Sequence, residues 1–293
     1  MAKKKRNMKT LSQRSLSKNA FTLIEMLIVI TIIVILASLL LPALAAAKLQ
    51  GQQTQCLSNL KQLAVAHASY MADFDKDFPY MNTTPFYYGW AGMLIPYATN
   101  SVSIQICPSA PAVASPTQSL APGAADRACV VSSDGPEEPI VVVMNEPNGV
   151  LQFSYAFNGW FYTGDAPYDI AATYASQHFA SASAVQHTSQ TPIFADAMWA
   201  ATWPMATNLP ATNLYAGDTS MSDQMSVMMM RVTLARHGSR PASAAPSNFD
   251  ITKTLPGSIN LAFFDGHVEN SPLEKLWNYY WCNGYQVPSS RPN

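Results

Sequence analysis

From Phe21 to Ala47 the chain reads FTLIEMLIVITIIVILASLLLPALAAA, a long run with a single charge. About 20 apolar residues in helical form cover the hydrocarbon core of a bilayer, and a helix satisfies its own backbone there. The run therefore predicts a membrane-spanning helix over residues 21–47, so that whatever follows lies on one side of a membrane. Residues 1–20 settle which side. They hold Lys3, Lys4, Lys5, Arg6, Lys9, Arg14 and Lys18 and no acid, 7 of the 17 basic residues of the chain. Positive flanks stay in the cytoplasm, so residues 1–20 read as a basic cytoplasmic leader and the remainder as exported. That remainder carries 10 basic against 18 acidic groups, which argues against a nucleic-acid-binding body. The basic run, set directly before the apolar one, reads as a topology signal and not as a nucleic-acid arm.

Beyond the membrane segment the apolar pattern changes period without stopping. Leu49, Cys56, Leu57, Leu60, Leu63, Ala64, Tyr70, Met71 and Phe74 recur at three- and four-residue steps among Gln52, Gln53, Lys61 and Gln62, the mark of an amphipathic helix. A helix from about Phe21 to about Ala72 spans roughly 78 Å, and the exported part, residues 48–74, needs a body to pack on. Polar residues followed by proline end it within Asp73 to Pro79.

The 293 residues leave room for that helix and one exported body, residues 75–293. Short strands are expected at Ile104 to Ile106, Ile140 to Met144, Leu151 to Phe157 and Ile193 to Phe194, each bounded by turn signals. The Ala-, Pro- and Ser-rich stretches Ser109 to Pro122 and Pro241 to Pro246 read as exposed loops. Ile259 to Phe264, then Asp265-Gly266, then His267-Val268-Glu269 predicts a hairpin whose two-residue turn places both Asp265 and Gly266 at positive φ. The expected fold class is α+β: a long N-terminal helix and an antiparallel sheet packed on its exported half. There is no internal repeat.

Four cysteines in an exported body allow two disulfides in three pairings. The pairing expected here is Cys56 with Cys107 and Cys129 with Cys282, against the alternative that some remain small buried apolar groups. No CxxC pair or histidine spacing marks a zinc site, and no metal or cofactor is assigned. His237, Asp265 and His267 could in principle form a hydrolytic or metal-binding group. The chain has no GxSxG, HExxH or phosphate loop, however, and Asp265-Gly266 is accounted for by its turn. Tyr87, Tyr88, Trp90, Trp277, Tyr279, Tyr280 and Trp281 read as core and contact residues before they read as a sugar-binding surface.

At Lys18-Asn19-Ala20-Phe21-Thr22-Leu23-Ile24-Glu25 the chain resembles type IV pilins and the pseudopilins of type II secretion. The resemblance covers about residues 14–72. It implies that a prepilin peptidase cuts between Ala20 and Phe21 and methylates the new amine of Phe21, that Glu25 is the assembly glutamate, and that Pro42 is the helix-breaking proline. It further implies a non-enzymatic subunit of the inner (cytoplasmic) membrane. Its body is extracytoplasmic, and its partners are copies of itself, other pilin-like subunits and the secretion or pilus machinery. The nearest alternative is a surface pilus subunit. The family usually has glycine before the cut where this chain has Ala20, which has a β-carbon. A bland reading of Glu25, as a polar residue tolerated near the helix end, leaves a carboxylate at the membrane edge without a cation, whereas cleavage at Phe21 supplies one.

A second resemblance runs through the body. Cys56-Leu57-Ser58-Asn59-Leu60-Lys61-Gln62, Trp90 with Pro96-Tyr97, Cys107-Pro108-Ser109, Arg236-His237-Gly238 and Phe264-Asp265-Gly266-His267 are similar to a large bacterial pilin-like family that ends in His, nine residues, then Asp-Gly. Here the stretch from His237 to Asp265 is much longer, so the motif stands only with a long insertion. Related major pseudopilins bind calcium in a late loop, but no ligands here match residue by residue. Outside these resemblances the rivals are a secretory signal cut after Ala45-Ala46-Ala47, which would release a soluble binding protein, and a membrane-anchored enzyme. The apolar run is much longer than the apolar region of an ordinary signal, and Glu25 has no place in one.

Overall fold

The computed structural model describes residues 22–79, 89–98, 101–114, 120–132, 150–163, 173–218 and 228–293. The expected strand Ile140 to Met144, together with Ala20, Phe21, Tyr87 and Tyr88, lies outside them. The chain divides into two units, Met1–Ala45 and Ala46–Asn293.

Helix α1, Leu23–Phe74, runs through both. In its first part every residue from Thr22 to Lys48 is exposed, and the most apolar window has a mean hydropathy of 3.0. A helix that is apolar all round must be covered by lipid or by other helices, and this one is long and apolar enough to cross a membrane. Past Ala46 the pattern becomes one-sided. Cys56, Asn59, Leu60, Leu63, Ala64, Ala66, His67 and Tyr70 are buried at three- and four-residue steps, while Phe74, expected on this stripe, is 56% exposed. The helix closes at Asp75, whose φ of 51° puts it in the left-handed region. Its N–H donates to Met71 O at 2.9 Å, a C-terminal cap more often supplied by glycine. The buried pair His67 and Asp77, 3.1 Å apart, then pins the exit of the chain.

Among the described residues the body holds two sheets. The first is antiparallel, β1 (Leu120–Ala121), β2 (Cys129–Ser132) and β3 (Val150–Phe153). The second has five strands: β4 (Tyr155–Asn158), β5 (Pro192–Asp196), β6 (Ala201–Thr202), β7 (Ser258–Phe263) and β8 (Val268–Pro272), in the order β6-β4-β5-β7-β8. It is antiparallel except where β6 runs parallel to β4. The segment expected as one strand, Leu151 to Phe157, is thus two strands in two sheets. They part at Ser154, whose N–H donates to Gln105 O and whose carbonyl accepts from Ala197 N. Ile104 to Ile106 is not a strand either: Ile104 ends the short helix α3 (Ser101–Ile104), which follows α2 (Gly89–Met93). Its β-branched side chain is 5% exposed, so tertiary burial overrides local propensity. Leu120 and Ala121, inside the loop expected at Ser109 to Pro122, form β1.

The late hairpin is present with a different turn. Gly266 N donates to Phe263 O and Phe263 N to His267 O, and of the two turn residues only Gly266 has positive φ, 84°. This is a three-residue loop, a type I turn closed by a left-handed glycine, and it asks nothing unusual of Asp265. The core lies around β5 and β7, buried along their whole length. Trp90, Trp160, Trp277 and Trp281 are each at most 1% exposed. Each indole N–H donates to a backbone carbonyl, of Ala200, Pro204, Asn208 and Leu276 respectively. These tryptophans are core residues, as buried indoles with a satisfied donor should be.

Candidate functional site

At the foot of α1, Thr22 and Glu25 form a reciprocal cap. The N–H and hydroxyl of Thr22 donate to Glu25 Oε2 at 2.9 and 2.6 Å, and Glu25 N–H reaches back to Thr22 Oγ1 at 3.3 Å. Such a box satisfies backbone donors that the first helical turn leaves open, and it sets a negative group at the positive end of the helix. Both bonds to the carboxylate fall on Oε2, and Oε1 is open among the described residues. Thr22 was not singled out by the sequence reading. The signal that marks it is Thr-x-x-Glu at the start of an apolar run. Pro42, further along, is accommodated: α1 is continuous through it.

Of the body residues quoted for the second resemblance, Cys56, Asn59, Cys107, Pro108, Arg236 and His237 come together, while Lys61 reaches the separate turn at Gly266. Cys56 on α1 is disulfide-bonded to Cys107. On the same face of the helix, Asn59 Nδ2 donates to Ile106 O at 2.9 Å and Gln52 Nε2 to Pro108 O at 3.0 Å. Lys61 Nζ donates to Gly266 O at 2.6 Å at the hairpin turn. Cys129 and Cys282, expected to pair with each other, are instead free and buried. Burial pushes both thiols up to about 12, so they are neutral and inert at ordinary pH.

Beneath the disulfide, Asp196 at the end of β5 is fully buried. Arg236 Nη1 donates to its Oδ1 at 3.0 Å, Asn260 N–H to its Oδ2 at 2.7 Å, and His237 Nε2 lies 3.1 Å from Oδ2. Burial pushes this carboxyl up, but His237, Arg236 and the Asn260 N–H together outweigh it and hold the group below its ordinary range. Arg236 also donates to the carbonyls of Ala124, Ala125, Ser154 and Ala197, so its planar fork stitches these segments into one network.

His237 Nε2 faces Asp196, Asn260 Nδ2 at 3.0 Å and Cys107 Sγ at 3.7 Å. A nucleophile relay needs two ring nitrogens, one toward the nucleophile and one toward the acid, whereas here a single nitrogen meets both and Cys107 is already bonded to Cys56. Cys56, Cys107 and His237 lie close enough to hold a metal ion, but the two sulfurs are spent on each other. The other histidine of the triad considered from the sequence, His267, pairs through Nδ1 with Asp265 at 2.6 Å on the exposed turn. His237 instead pairs with Ser258, the far end of β7 from that turn and about 17 Å along the strand. The three residues do not form one site. The segment between His237 and Ser258 leaves and returns at a bridge closed by two backbone hydrogen bonds of 2.9 Å, which is how the long insertion is absorbed.

Residues 16–41 match the family model described as the prokaryotic N-terminal methylation motif. That stretch contains Thr22, Glu25 and the apolar half of α1, and it indicates a type IV pilin-like chain processed as a prepilin. Comparison with curated proteins and with solved structures finds no match.

Proposed function

We propose that this chain is a structural, non-enzymatic subunit, cut by prepilin peptidase between Ala20 and Phe21 and methylated at Phe21. In this reading it is held in the inner membrane with residues 1–20 cytoplasmic. Its body lies outside, and it assembles with copies of itself or other pilin-like subunits into a pseudopilus of the type II secretion machinery. The observation that carries this reading is a lone carboxylate, Glu25, at the foot of an apolar helix with one oxygen open, inside the matched motif. A carboxylate at the bilayer centre costs roughly 2.5 to 3.5 kcal/mol on insertion scales, and even at the edge a charge calls for a partner. The cap with Thr22 lowers that cost in the single subunit, and Oε1 stays available to the Phe21 ammonium of a neighbour. Attraction at low dielectric then sets the axial register of one helix on the next.

Intact-mass and N-terminal analysis of protein extracted from membranes tests the first half: the mature chain begins at Phe21 and carries a methyl group, while a start at Lys48 would establish an ordinary secretory signal. Glu25→Gln tests the second. Insertion and processing stay near wild type. Crosslinked oligomers fall at least about tenfold, the ratio that ~1.4 kcal/mol per contact produces. Unchanged oligomers would refute the role of Glu25.

A further inference from the structure

A cavity of about 420 Å³ lies in the body where the turn before β5 meets the C-terminal segment, within the size range of small-molecule sites. Phe179, Thr191 and Tyr285, all buried, form its inner part. Exposed Gln186, His187 and Gln286 and half-buried Tyr280 form its rim. The rings of His187 and Tyr280 stack with centroids 3.8 Å apart and planes 17° from parallel. The Gln186 amide, the His187 ring nitrogens and the Tyr280 hydroxyl have no hydrogen-bond partner among the described residues. The fold leaves these groups open, and the core does not use them.

The chemistry of the lining narrows the ligand. No Asp, Glu, Lys or Arg is among the described residues that line the cavity, so a charged ligand would meet no counter-ion there as it gave up water, an expensive exchange. A wholly apolar one would strand the amide and hydroxyl groups. Recognition of a peptide by strand addition needs a sheet edge, but the strand that enters here, β5, is interior, between β4 and β7. Burial pushes the Cys282 thiol at the cavity up to about 12, so it is neutral and forms no covalent link. What remains is a neutral, polyhydroxylated molecule with an apolar face. We infer that this cavity binds a neutral saccharide, its C–H face against the His187–Tyr280 stack and its hydroxyls on the Gln186 and Gln286 amides.

The test uses the full chain in a zwitterionic, sugar-free detergent, since an alkyl glycoside would compete. Maltotriose, cellobiose and N,N′-diacetylchitobiose are the probes, read by saturation-transfer NMR and calorimetry. At least one is expected to bind with saturation on its ring protons. Gln186→Ala, exposed and so safe for folding, should weaken binding about threefold to tenfold, the worth of one net hydrogen bond, at an unchanged melting temperature, and His187→Ala, which removes one ring of the stack, should weaken it by about as much. Absence of binding by all three probes at millimolar concentration would overturn the inference. So would binding that neither variant changes, or binding of triglycine in place of the saccharides.

Discussion

Asp196 is a buried charge kept ionised against the cost of its burial. Arg236, His237 and the Asn260 N–H hold its carboxyl below the ordinary range. As pH falls, the unfolded chain takes up a proton at this position before the folded one does. The stabilisation is therefore complete above about pH 4, the ordinary carboxylate range, and is lost as pH drops through the depressed folded value. Asp196→Asn removes the charge at constant size and strands a buried guanidinium. It should cost about 3 to 5 kcal/mol in denaturant unfolding and flatten the acid limb of the stability curve, and a variant as stable as wild type would show that the network is not held by this charge. A proton on His237 Nε2 serves Asp196, and its absence lets the same nitrogen accept from Asn260, so the ring can satisfy one neighbour or the other at a time. At this scale Glu25 stands out in the sequence because a charge inside an apolar run has few explanations, though its cap with Thr22 was not read there. Asp196 was not, since an Asp at the end of a short strand looks like any turn residue until its burial is known.

Among the elements, α1 was the most legible, because its two halves announce themselves by two patterns: uniform apolarity, then a stripe. The late hairpin was legible in place but not in turn type, since Asp-Gly serves either a two-residue turn or, as here, a type I turn closed by Gly266. The division of Leu151 to Phe157 between two sheets was hidden, because it depends on what Ser154 bonds to across the fold and not on its neighbours. Pro42 adds a dynamic prediction that α1 being continuous does not remove. Proline has no N–H to give to the carbonyl of Ser38, whose hydroxyl already turns back to Ile35 O at 2.8 Å. Amide exchange at Leu39 to Leu41 and Ala43 should run about fivefold faster than in either flank, the ratio one lost bond of ~1 kcal/mol produces. Pro42→Ala should erase the difference, and uniform protection of the wild-type helix would count against a weak point there.

For the molecule as a whole, the decisive link is the one between the amphipathic half of α1 and the segment that follows α3. Gln52, Cys56 and Asn59 sit one helical turn apart and hold Pro108, Cys107 and Ile106, two through hydrogen bonds and one through the disulfide. The loop closed by Cys56 and Cys107 has a sequence separation of 51, for which chain-entropy arguments give a stabilisation of about 4 kcal/mol. The pairing was open in the sequence, where four cysteines allow three arrangements, and only the fold decides that Cys129 and Cys282 stay apart. Thiol counting settles this directly. The native chain should react slowly with a thiol reagent at neutral pH, because its two free cysteines are buried and neutral. Unfolded without reductant it should show two thiols, and unfolded after reduction all four. A count of zero before reduction would mean that Cys129 and Cys282 are bonded after all. The replacement of Cys56 and Cys107 together by Ala should lower unfolding stability by about 2 to 4 kcal/mol while leaving the count of two unchanged. If the chain instead kept its full stability, the two hydrogen bonds from Gln52 and Asn59 would have to hold helix and body together without the covalent bond.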